Sequence, residues 1–143
     1  MEAIQLHNRI RKITVQGRGI LCIDYTGLRE AGMIALGTEA THVTLAETEP
    51  QCILTCFSNT YVTPAFVRHM ERQVELVRHL ILRNALVGLN RPKMMILKGF
   101  NLVVRTDFKP FASEAEALAY LLREPLIEEV GPMFNQPTPN ATK

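Results

Sequence analysis

The clearest alternation of apolar and polar positions runs from residue 51 to residue 83, QCILTCF, then SNTYV, then TPAFVRHMERQVELVRHLILR. Residues 52–57 form a short apolar run, bounded by Glu-Pro before and Ser-Asn after, and predict a buried strand. The segment that follows predicts a helix. Thr63 can cap it, Pro64 suits its first position, and Val62 and Val67 stand at the spacing of a hydrophobic staple. Phe66, Met70, Val74, Val77 and Ile81 then recur every three or four residues. Arg68, Glu71, Arg72, Glu75, Arg78 and His79 take the other face, which is expected to be solvated. One side of this helix should cover a sheet.

The pattern extends in both directions. Residues 9–16, with Ile10, Ile13 and Val15, are followed by Gly17-Arg18-Gly19 and the run ILCIDY, which predicts a β-hairpin whose nearly all-apolar second strand is central. Leu28, Ala31, Ala35, Leu36, Ala40 and Val43 keep helical spacing over residues 28–47, although Gly32 and Gly37 each cost about 1 kcal/mol against Ala. NALVGL at residues 84–89 fits another buried parallel strand. Asn90-Arg91-Pro92 then opens a helix through MMILKGFNLVV. Residues 106–111 predict a short strand that Pro110 confines to an edge. Ser113 with Glu116 forms a capping box for a last helix carrying Ala117, Leu118, Leu121 and Leu122. The order ββαβαβαβα predicts an α/β fold, with one mostly parallel mixed sheet covered by helices. Residues 1–124 are expected to form that single domain. Residues 125–143, with four prolines and no period, are expected to be a poorly ordered tail.

Length and composition narrow the class of protein. A chain of 143 residues has one core and buries roughly 68–70% of its unfolded surface. It is 47% hydrophobic and 21% charged with net charge +2, ordinary for a soluble domain and too weak a charge to imply nucleic acid. The first residues lack the apolar core of a secretory signal, and no apolar run approaches the roughly 20 residues that span a bilayer. A cytoplasmic protein without integral membrane contact is expected, so the acceptor sequence Asn140-Ala141-Thr142 carries no meaning. Cys22, Cys52 and Cys56 are odd in number and lie in apolar runs, which favours reduced core thiols over a disulfide framework.

Candidate chemistry is sparse. Cys56 ends the central strand, where open α/β sheets commonly place ligands, but a catalytic thiol needs a base that the sequence does not supply. A core role is preferred. His7, His42, His69 and His79 lack zinc-binding spacing, so no metal and no cofactor are expected. Asp24 can act as a base or cap the next turn, and capping is preferred. Neither Gly17-Arg18-Gly19 nor the series Gly27, Gly32, Gly37 has the strand-turn-helix setting of a phosphate loop. The helix after Pro92 is unusual, because Met94, Met95, Ile96, Leu97, Phe100, Leu102, Val103 and Val104 leave little polar circumference. Two readings stay open: the helix is sunk between sheet and neighbours, or one side turns to a partner or ligand. Leu97 and Val104, seven apart, suit the core, while Met94, Lys98 and Asn101 lie closer to the opposite side.

Several whole segments carry a family resemblance. ILCIDYTGL, CILTCFSNTYV, ALVGLNRPKMMILKGFNLVV and KPFASEAEALAYLL together resemble the SpoIIAA-like proteins, which are related to STAS domains and, in shape, to the CRAL-TRIO lipid-binding fold. The resemblance spans about residues 10–123 and includes no catalytic signature. It implies a small α/β domain, often dimeric, that regulates by protein interaction or binds apolar ligands and performs no chemistry. Partner-switching STAS proteins carry a phosphorylatable Ser in the turn before a helix, within an Asp-Ser-Ser-Gly-like sequence. The corresponding turn here is Ser58-Asn59-Thr60, without the Asp and the Gly. The expectation is therefore a non-enzymatic, STAS-like regulatory or protein-interaction module that forms a homodimer and contacts a protein partner or a second copy of itself. The alternative is a carrier or sensor for a lipid or other apolar small molecule. Candidate contact residues are Ser58, Asn59, Thr60 and Tyr61 in the turn, and Met94, Met95 and Phe100 on the helix.

Overall fold

Gln16 and Gly17 both take positive φ, 52° and 80°, the pair of left-handed residues that a two-residue hairpin turn requires. They join strand β1 (Ile10–Val15) to β2 (Arg18–Asp24) as antiparallel neighbours. The turn therefore falls one residue earlier than Gly17-Arg18-Gly19, and Arg18 and Gly19 belong to β2. The computed structural model describes residues 8–123, so the expected tail at 125–143 lies outside the described residues. After the hairpin come α1 (Glu30–Leu45), β3 (Gln51–Cys56), α2 (Pro64–Val77), β4 (Ile81–Val87), α3 (Arg91–Val104), β5 (Lys109–Phe111) and α4 (Glu114–Leu121).

The strands stand in the sheet in chain order, β1-β2-β3-β4-β5, and every pairing after the hairpin is parallel. This is the mostly parallel mixed sheet that the sequence predicts. Successive crossovers of one hand, all stepping the same way, put their helices on one face. Side-chain alternation along the strands shows which face each serves. Leu21, Ile23 and Ile53 pack with Met33 and Leu36 of α1 and Phe66 of α2. Leu86 packs with Val74 of α2 and Leu97, Phe100 and Val104 of α3. The intervening residues, Ile20, Cys22, Cys52, Leu54 and Ala85, point the other way and meet Ala117 and Leu121 of α4.

Three local expectations change. Ile81 continues the helical spacing of α2 but begins β4, because α2 ends at Val77 and a 3-10 turn, Arg78–Leu80, precedes the pairing of Ile81 with Gln51. Ladder bonds to β3 outrank the local period. Arg78 keeps a 3.4 Å ion pair with Glu75 on the solvated side, but its guanidinium also reaches across and donates to the carbonyl of Val104, the last residue of α3. On α1 the buried face includes Gly32, Gly37, Thr41 and Thr44, while Ala31 is exposed. A Cβ on Gly37 would lie 2.8 Å from the Met70 sulfur, so the glycine permits close contact between α1 and α2.

Arg83 is buried in β4. It donates to the carbonyls of Tyr120 at 2.8 Å and Arg123 at 3.1 Å, and its guanidinium lies over the Tyr120 ring. These carbonyls belong to the end of α4, where the helix dipole favours a cation. Arg83→Met keeps the aliphatic stem and removes every donor. Its expected cost is about 1–3 kcal/mol, since part-buried carbonyls lose a charged donor. Urea unfolding should show that loss, with amide exchange accelerated first in α4.

Candidate functional site

The carboxyl ends of β2 and β3 converge on a small polar cluster. Asp24 accepts hydrogen bonds on Oδ1 from the Thr26 amide at 2.9 Å and from the Thr26 hydroxyl, closing the turn that its capping role requires. The Cys56 sulfur lies 3.4 Å from the Thr26 hydroxyl and 3.3 Å from that of Ser58. Ser58 is partly buried, and its carbonyl accepts from the Gly27 amide. Gly88, at φ 81°, lies flush against it: a Cβ there would come within 2.5 Å of the Ser58 hydroxyl oxygen. Thr60 donates to the Phe57 carbonyl, Asn59 takes a positive φ, and Tyr61 projects into solvent. The first turn of α2 is capped by Thr63, whose hydroxyl accepts from the Phe66 amide at 3.2 Å. The turn candidates thus share one loop, with Ser58 and Tyr61 on different sides of it: one packed inward, one outward.

The helix candidates separate by face. Along α3, Lys93, Leu97, Phe100 and Val104 are buried, a stripe spaced four, three and four. Phe100 is 9% exposed, whereas Met94 is 41% and Met95 70% exposed. Leu102 and Val103 join the outer side at 76% and 67%. The helix is neither sunk nor ordinary in its amphipathicity. Its inner stripe is apolar apart from Lys93, and its outer face carries large apolar groups in solvent. Arg91, Lys98 and Arg105 are exposed along the same helix, which has no acidic residue.

An internal space bears on the alternative of a carrier for an apolar small molecule. Between the sheet and α1, α2 and α3 lies a cavity of about 120 Å³, walled by residues that include Ile53, Phe66, Val74, Leu97 and Phe100. Thr55 and Asn84 also line it and bond to each other, Thr55 Oγ1 donating to Asn84 Oδ1 at 2.9 Å. Lys93 reaches the same space and donates from Nζ to the Phe57 carbonyl at 3.0 Å. Burial lowers the Lys93 pKa from the ordinary lysine value, and the neighbouring Cys56 opposes that shift. Its inward orientation was available from the spacing of 93, 97, 100 and 104. The cavity was not, since its volume depends on how far three helices stand off the sheet.

Cys22, Cys52 and Cys56 form no disulfide with one another. Cys22 and Cys52 are buried, and desolvation pushes the Cys22 thiol above the usual cysteine range, partly offset by Arg11. Among the described residues no group of three His, Cys, Asp or Glu is placed to hold a metal ion. His69 instead shares a 3.1 Å hydrogen bond with the Thr38 hydroxyl. Cys22 and Cys52 should label with a thiol reagent at pH 8 only as fast as the protein unfolds, because thiolate content and access both control the rate. Prompt stoichiometric labelling of either in the folded protein would contradict their placement.

No family model and no curated protein match the chain. Solved structures do match it. An anti-sigma-factor antagonist (STAS) domain protein from Planctomyces limnophilus aligns with a TM-score of 0.57 at 13% identity, covering 80% of this chain and 98% of its own. An uncharacterized protein of the DUF3478 family with a SpoIIAA-like fold, from Shewanella loihica PV-4, aligns at 0.62 and 15% identity, covering 78% and 91%. An RsbS variant from Moorella thermoacetica aligns at 0.51 and 18% identity, covering 80% and 95%. Among the described residues no helix is long and apolar enough to cross a membrane. The order of elements, the sheet and these alignments agree: the chain has the fold of STAS and SpoIIAA-like proteins.

Proposed function

We propose that the chain is a non-enzymatic regulatory module that docks a protein partner through the outer face of α3. The observation that carries this is the exposure of Met95 and Leu102, at 70% and 76%. They are seven residues apart, on the side of the helix opposite its buried stripe. Contiguous exposed apolar surface of this kind marks contact sites, and methionine adapts to irregular partners. Arg91, Lys98 and Arg105 add positive charge to that helix and none is in an ion pair among the described residues. A fitting partner presents apolar groups bordered by Asp or Glu. A two-fold contact of α3 with its own copy would bring like charges together, so the charge pattern favours a different protein over a homodimer at this face. Neighbours of the same fold are named as an anti-sigma-factor antagonist and as RsbS, which supports regulation by binding. Three cysteines without a disulfide suit a reducing, cytoplasmic setting.

The turn at Ser58, Asn59, Thr60 and Tyr61 is the place where such binding would be modulated. A phosphate on Ser58 brings about −1.5 to −2 charges to a loop whose Phe57 carbonyl already receives the Lys93 ammonium. Ser58→Glu is expected to stay folded by circular dichroism and to weaken partner binding. Unchanged affinity would remove the turn from the mechanism.

Met95→Lys and Leu102→Lys should alter stability by no more than about 0.5 kcal/mol, as exposed substitutions do, and should abolish partner capture. Phe100→Lys, on the buried stripe, should instead cost several kcal/mol by placing a charge in the core. Glu39→Lys, exposed on α1, serves as the control and should retain the partner. A partner held equally by wild type, both α3 variants and the control would overturn the assignment of the surface. Sedimentation of the same set reads self-association, and a dimer dissociated by Leu102→Lys would show that the occupant is a second copy.

A further inference from the structure

The cavity beneath α2 and α3 has a chemical character distinct from the outer surface of α3. Its walls are apolar, and four of its polar lining groups are satisfied from within the fold. Thr41 and Thr44 donate to carbonyls of their own helix, and Thr55 and Asn84 bond to each other. Lys93 differs. It is 9% exposed, carries three donors when protonated, and directs one of them to the Phe57 carbonyl at 3.0 Å. No carboxylate among the described residues forms an ion pair with it. An ammonium withdrawn from water without a counter-charge is unfavourable, and an anion beside it relieves that cost.

We propose that this cavity binds a small apolar monocarboxylate, with the apolar body between the sheet and the helices and the carboxylate paired with Lys93 Nζ. Size sets the body. A volume of about 120 Å³ is close to that of apolar cavities that stay dry and accept one benzene molecule, of order 150 Å³. One aromatic ring or a short acyl chain fits, with the rest of a longer ligand in the cavity mouth. Charge sets the head group. One lysine balances a monoanion, whereas a phosphate dianion would leave excess charge in an apolar site. The Phe57 carbonyl remains bonded to the same ammonium, so ligand and turn meet at one side chain.

The site is independent of the α3 contact surface, and its test needs no protein partner. The probes are 3-phenylpropanoate, its neutral counterpart 3-phenylpropan-1-ol, and acetate, titrated into the full chain while the Met70 methyl resonance, whose side chain lines the cavity, is followed by NMR. Wild type should bind the phenyl carboxylate at least tenfold more tightly than the alcohol and should not respond to acetate. Lys93→Met should lose that preference while still binding the alcohol. Val74→Phe, which fills the cavity, should bind neither phenyl compound. Equal binding of acid and alcohol by wild type would overturn the pairing with Lys93. Absence of saturable binding by either phenyl compound would overturn the cavity as a ligand site. Both results come from the unaltered protein, so neither depends on a variant that folds.

Discussion

The ladder on both edges of β3 is the constraint from which the rest of the structure follows. Its residues pair with β2 on one side and β4 on the other, and both its faces are covered. Only a strand apolar on both faces meets that requirement, which is why CILTC lacks the polar alternation of an edge strand. β3 also fixes where its two exits lie. Tyr25 bonds back to the Cys56 carbonyl and Phe57 to that of Val87, so the turn carrying Ser58 is clamped between the ends of β2 and β4. Tyr25 and Phe57 stack with ring centroids 4.7 Å apart, Phe66 meets both edge-on at 5.5 and 6.0 Å, and all three line the cavity.

The chain-order arrangement of the strands then distributes the helices unequally. Three long helices share one face, while α4, of 8 residues, serves the other. A sheet without a reversal of strand order has no crevice of the kind that forms where crossovers diverge. Space opens instead under the row of helices, and the last of that row, α3, lies beside a strand of only 3 residues and keeps its outer side in solvent. The cavity and the exposed apolar face are therefore two consequences of one topology. Arg78 and Arg83 fasten this uneven arrangement from a single segment, one holding the end of α3 and the other the end of α4.

Much of this was legible in the sequence, because element type follows from periodicity and capping, both local properties. Thr63, Asn90 and Ser113 each cap the helix they precede, and Pro110 marks the edge strand. Errors arose where a distant contact outranked a local pattern. Ile81 fits the helical period of α2 but is claimed by β3. Gly37 looks like a helix defect and is a contact with Met70. The site was legible in part. The surplus of apolar residues on α3 could be counted, yet its division into an inner Phe100 and an outer Met95 needed the helix phase. Lys93 carries no local signal of burial, and only the stripe of 93, 97, 100 and 104 turns it inward.

The central claim is that the outer face of α3 is covered in the functional assembly. Methionine oxidation measures this most directly, because the chain carries its own probes: Met94 and Met95 are exposed on α3, and Met33 is fully buried in α1. Residue-resolved oxidation by hydroxyl radicals, in the isolated protein and in its purified complex, compares them under one exposure. Met94 and Met95 should oxidise rapidly alone and become protected in the complex, with Met33 slow in both. Rapid oxidation of both α3 methionines in the complex, with protection appearing elsewhere on the chain, would contradict the account.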